Sequence, residues 1–245
     1  MDYWPRLLQL NHAVAIPAIA KQVTAAAAVR DALSRHELPQ TPLPRLGVTP
    51  GDYAQAILLG RDPAAIKALD AMLRNFRQYV AYHFGMWSFV TQHLFATWQQ
   101  LFGPQRYLEV AAGNGYISAG LQAQGNQVIT TDPLSWTGEN VTGKDPLVVL
   151  QPLGATAALW TYGHAVDAVV MAWSPDHDLN DVQFLTTLRQ HFSGLAFFVI
   201  GERNGATNSR LFWSQARFVA DRRLLALNRA LPQFDAINER IYLMR

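Results

Sequence analysis

The chain has 245 residues, half of them apolar and 16% charged, with a formal net charge of +2 and no cysteine. That length suits one full α/β domain with an appendage, and the composition is that of an ordinary globular protein, not a disordered or fibrous one. The missing cysteine excludes disulfides, thiolate metal sites and a cysteine nucleophile, and so weak a charge, spread over scattered arginines, argues against nucleic acid as a partner.

The N-terminus opens MDYWPRLLQL, where an early acid and a proline stand in place of the positive charge and unbroken apolar run of a secretion signal, so the expected location is the cytoplasm. The alanine-rich piece that follows is interrupted by Pro17, Lys21 and Arg30. It falls short of the ~20 clean apolar residues of a membrane span and reads as packed helix. Proline-spaced LPQTPLPRLG, Leu38 to Gly47, reads as an extended linker. Thr49 before Pro50, with Asp52 in the first turn, starts a short helix that Gly60 ends, and Asp62-Pro63 repeats the start signal. Ile66, Leu69, Met72, Leu73, Phe76 and Val80 recur at helical steps on one face. Phe89, Val90, Leu94, Trp98 and Leu101 predict a further helix that stops at Gly103-Pro104. Residues 1–103 are therefore expected to form a helical cap or lid.

Beyond Pro104 come short apolar runs separated by helical stretches: RYLEV, QVITT, PLVVL, VDAVVMAW, LAFFVI, RLLAL and RIYLM. Strands alternating with helices, several apolar throughout, predict a mostly parallel sheet over 104–245 covered on both faces.

RYLEVAAGNGYISAGL, Arg106 to Leu121, reads as buried strand, tight glycine turn and helix start, the geometry in which backbone N–H groups face a ligand. Asp132 then closes the second strand, in place to accept hydrogen bonds from a ribose. A dinucleotide fingerprint would want a third glycine or alanine where Ser118 stands, and the Gly-Lys-Ser/Thr ending of a phosphate-gripping loop is missing. The pattern that fits is acid-x-small-x-Gly-x-Gly: Glu109, Ala111, Gly113, Gly115.

In these residues the chain resembles the class I S-adenosylmethionine-dependent methyltransferases, with Ala111 where that family usually has its first glycine. The resemblance implies a doubly wound, mostly parallel seven-stranded sheet under the N-terminal helical cap. It also implies a cofactor lying against Glu109, Ala111, Gly113, Asn114, Gly115 and Asp132, with Pro133 or Leu134 bordering the adenine. The third strand usually adds an acid or amide near the adenine, for which Gln151 is the candidate; a simple loop residue is the other reading. The end of the fourth strand, Ala172 and Trp173, completes the set. An acid on the first strand repels a diphosphate and suits a sulfonium and an ammonium, although Glu109 also reads as a structural acid capping neighbouring N–H groups.

The loop SPDHD, Ser174 to Asp178, would face the transferable methyl, and to the Asn/Asp-Pro-Pro-aromatic run of family enzymes acting on amino groups it offers only Ser-Pro at the centre. His177 beside Asp176 and Asp178 is a candidate general base with a carboxylate to orient it; the alternative is a solvated loop in which Asp178 or Asn180 caps the next helix. One histidine between adjacent acids does not put three side chains on one face, so no metal site is expected. Glu202, after the fifth strand, and Tyr82 and Trp87, just before the first, are candidate substrate contacts. A turn acid paired with an arginine, and core or lid lining, are the respective alternatives. The expected activity is methyl transfer to a small-molecule acceptor. The rival readings are a catalytically silent S-adenosylmethionine-binding regulator and an NAD(P)-dependent oxidoreductase.

Overall fold

A computed structural model describes residues 2–245. The helices α1 (Tyr3–Val14), α2 (Pro17–Leu33), α3 (Pro50–Leu58), α4 (Pro63–Arg74), α5 (Phe76–Phe84) and α6 (Gln92–Phe102) precede the first strand. Their starts are written in the sequence: Thr49 and Asp52 form a reciprocal capping box before Pro50, and Asp62 accepts from Ala64 N before Pro63. The apolar face from Ile66 to Val80 is buried, but Asn75 divides it between α4 and α5. Phe89 and Val90 lie ahead of α6, whose cap is Thr91. None of these helices is long and apolar enough to cross a membrane.

Then follow β1 (Arg106–Val110), α7 (Tyr116–Ala123), β2 (Gln127–Thr130), α8 (Ala155–Tyr162), β3 (Ala168–Ala172), α9 (Asn180–His191), β4 (Ala196–Gly201), α10 (Arg210–Gln215), α11 (Arg223–Ala230) and β5 (Arg240–Met244). The sheet runs β2-β1-β3-β4-β5, parallel except for β5, which lies antiparallel to β4. Alternate residues feed two apolar layers. Tyr107, Val170, Phe198 and Ile241 meet α6, α7 and α11, while Leu108, Val169, Phe197 and Met244 meet α8, α9 and α10.

Among the described residues five strands form, not the expected seven. PLVVL is not a strand: it runs back over the glycine turn, with Leu147 N donating to Asn114 O, and only Gln151 reaches the sheet, as a single bridge to Thr131. RLLAL belongs to α11, where Leu227, Ala230 and Leu231 are buried at helical spacing while Leu225 is exposed. The free edge of β5 is closed in two ways. Val219 N donates to Leu243 O, and the Asn228 amide bonds both polar backbone groups of Ile241, so β5 presents less unpaired backbone to a second chain.

The apolar core does not divide at residue 103. Trp98 and Phe102 of α6 pack tilted and edge-on against Phe198 of β4, with ring centroids 4.9 and 5.1 Å apart, and one buried cluster runs from Trp4 to Leu243. Burying a side chain of Trp98's kind stabilises by about 1.5–3 kcal/mol, so α6 is as much a layer of the sheet domain as part of a cap.

Candidate functional site

Glu109 is the one charged residue on the buried stretch of β1. It points toward α7, where its Oε2 accepts from Ser118 N (2.7 Å) and from the Ser118 hydroxyl, which in turn accepts from Thr130 Oγ1 at 2.6 Å. Ser118, the departure from the dinucleotide fingerprint, is thus the partner of the acid that departs from it too. Burial pushes the Glu109 carboxyl up to about 8, with the charge of Asp132 adding to the rise and the Ser118 hydrogen bonds opposing it. No protein group bonds its Oε1 among the described residues, and Glu109 lines a cavity of about 460 Å³.

The turn after β1 puts every second residue in the left-handed region: Ala111 at φ 52°, Gly113 at 56° and Gly115 at 74°. Glycine suits such positions because a Cβ crowds the following carbonyl there. A Cβ at Gly115 would also come within 2.6 Å of Val148. Asp132, at the end of β2, holds the turn from outside, its Oδ2 accepting from Gly113 N (2.8 Å) and its Oδ1 from Leu134 N (2.7 Å). Burial raises its pKa and these two N–H groups work against the rise.

The cavity opens at the carboxyl ends of β1, β2 and β3, where ligands gather in open α/β sheets. Its floor is Glu109, Ala111, Gly113 and Asp132, and the aromatic residues Tyr82, Trp87 and Trp173 stand along another side. The loop after β2 supplies Trp136, Glu139 and Thr142 and is tied to the cap by Trp87 Nε1 donating to Thr142 Oγ1 at 2.9 Å.

Behind the aromatic side lies a buried ionic cluster. Arg77 of α5 bonds Asp235, Glu239 (3.0 Å) and the carbonyl of Trp87 (3.2 Å), and Glu239 Oε1 accepts from Trp173 Nε1 at 2.6 Å. The Arg77 guanidinium also lies over the Trp173 ring, 5.4 Å from its centroid. Glu239 is fully buried, and burial raises its pKa against the lowering pull of Arg77 and Trp173. One cluster therefore fixes Trp87 through its backbone and Trp173 through its indole.

Of the residues singled out in the sequence, Glu109, Ala111, Gly113, Asp132, Ala172, Trp173, Tyr82 and Trp87 line this cavity together. Asn114 does not: its Nδ2 bonds Phe84 O and its Oδ1 takes Gly143 N, so it pins the turn to α5 and to the loop after β2. Gly115 caps α7, Pro133 is exposed just past β2, and Gln151 is exposed and meets Asp132 only through its backbone. His177 lies outside the lining with its side chain 94% exposed, 3.4 Å from Asp176, while the neighbouring Pro175 does line the cavity. Glu202 takes Ala206 N and Asn238 N and closes its own turn. Trp136, Glu139 and Thr142 escaped sequence reasoning, although an aromatic and an acid directly after a strand-closing Asp132 form a usable signal. Arg77 and Glu239 are 162 residues apart and carry no local signal.

No family model and no curated protein matches the chain. Among solved structures it is similar to monomeric WbdD, at 10% identity and TM-score 0.34 over 62% of this chain, and it spans only 39% of that one. It is similar to a Burkholderia thailandensis 1,6-didemethyltoxoflavin-N1-methyltransferase at 15% identity and TM-score 0.35, covering 83% of this chain and 93% of the other. Against a point mutant of MtNAS in complex with S-adenosylmethionine the identity is 10% and the TM-score 0.40, over 100% and 98% of the two chains.

Proposed function

We propose that the protein is a class I S-adenosylmethionine-dependent methyltransferase acting on a small molecule, with residues 1–103 as its cap. The observation that carries this reading is Glu109: a buried carboxyl group with one unpartnered oxygen, lining a cavity that also holds Asp132 and a left-handed small-residue turn. Among the described residues no lysine or arginine lines that cavity, which suits a cationic ligand and disfavours a diphosphate.

The residues fit the cofactor as follows. Glu109 Oε1 suits an ammonium, Asp132 keeps lone pairs for ribose hydroxyls, and Ala111 and Gly113 let the ligand approach the backbone. When bound, S-adenosylmethionine supplies a methyl group on a positively charged sulfur, a leaving group that needs no protein nucleophile. What the chain adds is alignment and exclusion of water, the task of the aromatic side and of the loop tied to Trp87. Neither His177 nor Asp176 lines the cavity, so no general base is assigned.

Titration calorimetry with S-adenosylhomocysteine and with NAD and NADP tests the reading. Binding of the first without competition from the other two is expected, and Asp132→Ala should weaken it by about 1–3 kcal/mol, roughly 5- to 150-fold, with the fold retained by circular dichroism. Nicotinamide nucleotides binding in its stead would overturn it.

A further inference from the structure

We propose that the acceptor is a flat molecule bearing a neutral nitrogen nucleophile, an aromatic amine or ring nitrogen, which the cavity receives uncharged and releases as a cation, and that anionic oxygen acceptors are shut out. This rests on the methyltransferase reading and adds the acceptor's chemistry to it.

Charge is the first argument. The acids lining the cavity are Asp132, Glu139 and Glu109, the last a carboxylate once a ligand ammonium pairs with it, and among the described residues no lysine, arginine or histidine joins them. Arg77 lies over the Trp173 ring but does not line the cavity, and two carboxylates, Asp235 and Glu239, already hold it. An oxyanion entering here would meet like charge and, apart from the cofactor's own sulfonium, no counter-charge from the protein.

Hydrogen-bond donors give the second. Of the three indoles lining the cavity, Trp87 spends its Nε1 on Thr142 Oγ1 and Trp173 spends its Nε1 on Glu239 Oε1, which leaves only that of Trp136, on the loop after β2, without a partner among the described residues. What these side chains offer is ring surface: the centroids of Tyr82 and Trp87 are 5.3 Å apart and those of Trp87 and Trp173 are 6.2 Å apart. Ring faces carry negative charge and attract cations and the edges of flat heterocycles. Ser88 also lines the cavity, 6% exposed, and its hydroxyl, without a hydrogen-bond partner among the described residues, can accept from an acceptor N–H as well as donate.

The reaction supplies the third. The nitrogen lone pair forms the new N–C bond as the S–C bond breaks, so the positive charge that began on sulfur ends on nitrogen and the total in the cavity does not change. Carboxylates and ring faces that stabilise the starting cation therefore stabilise the product cation as well. An amine N–H then gives its proton to solvent. An alkylammonium would first need a base, and no histidine lines the wall, which narrows the acceptor to nitrogens already neutral near pH 7. The loop after β3 lacks the Asn/Asp-Pro-Pro-aromatic run of amino-group enzymes, so selection falls to charge and ring faces.

Three two-ring probes of similar size test this: isoquinoline, N-methylisoquinolinium and 2-naphthoate, titrated by calorimetry into protein saturated with S-adenosylhomocysteine. Both nitrogen compounds should bind at least about tenfold more tightly than the naphthoate, the scale of a cation–aromatic contact, and Glu139→Gln should shrink the advantage of the methylated cation. Naphthoate binding as tightly as either, or no probe binding while S-adenosylhomocysteine does, would overturn the acceptor assignment alone. Failure of S-adenosylhomocysteine to bind in the preceding titration would instead remove the cofactor reading beneath it.

Discussion

The floor of the cavity comes from one continuous strand-turn-helix-strand, residues 109–132, whereas its aromatic side is gathered from residues 77–88, from Trp173 and from the segment 235–239. On the floor each polar group is held from within that stretch or just past it: Ser118 for Glu109, Gly113 and Leu134 for Asp132. On the aromatic side the holding groups are buried charges 158 and 162 residues apart in the chain. The lesson is that a motif-bearing turn draws most of its partners from one stretch of sequence, while the wall beside it exists only once the whole domain has closed.

The largest expected effect follows from that difference. Arg77→Met leaves Asp235 and Glu239 buried without a counter-charge and should destabilise the fold by about 3–5 kcal/mol, measured by urea unfolding. Adding Glu239→Gln to it should recover part of the loss, because the charge left unpaired is then removed. An Arg77→Met protein as stable as the parent would show that the aromatic side does not depend on the ionic cluster.

On the floor the corresponding test is pH. Glu109 has an ordinary value of 4.5 and sits at about 8 when folded, so between those values the folded chain holds a proton that the unfolded chain has lost. The stability this adds is complete below about pH 4.5 and is lost as pH rises through about 8, which makes the unfolding free energy fall across that window. Asp132, whose charge faces Glu109, shifts in the same sense, so the difference between the parent and Glu109→Gln isolates the Glu109 share. A ligand ammonium beside Glu109 favours the carboxylate. Binding of S-adenosylhomocysteine at pH 7 should then release close to one proton in the parent and none in Glu109→Gln, read from calorimetry in two buffers of different ionisation enthalpy. Equal proton release in both would separate Glu109 from the ligand.

The same division decides what the sequence disclosed. Glu109, Ala111, Gly113 and Asp132 were legible because a tight turn between two strands constrains residue type at fixed spacing, and those spacings survive in the fold. The alternation of strands and helices predicted the parallel core. Two of the runs misled for opposite reasons. RLLAL has the apolar content of a strand, yet its buried positions follow a helical step against α6, a choice that only its neighbours make. PLVVL has strand residues, but Val148 is drawn onto the space that Gly115 leaves open, which takes the run off the sheet. Arg77, Asp235 and Glu239 were illegible because a long-range charge cluster leaves no periodic or motif signature in any window of sequence.

The smallest expected effect concerns strain that both regions share. Ala111 on the floor and Trp173 on the aromatic side each sit at φ 52°, a left-handed conformation that costs a residue with a Cβ about 1–2 kcal/mol. Ala111→Gly removes that cost but adds freedom to the unfolded chain worth about 0.4–1 kcal/mol, so a net gain of roughly 0.5–1 kcal/mol is expected, about 2 °C in Tm. Affinity for S-adenosylhomocysteine should stay within about twofold, because the left-handed backbone is unchanged. A loss of stability would mean that the methyl group packs usefully against its surroundings. Trp173 cannot be relieved in the same way. Its ring holds Glu239 through Nε1 and lies beside Trp87, so glycine there would relax the backbone and lose the wall. The same strain is thus an accident of side-chain choice on the floor, while on the aromatic side it keeps an indole aimed at the buried acid that fixes it.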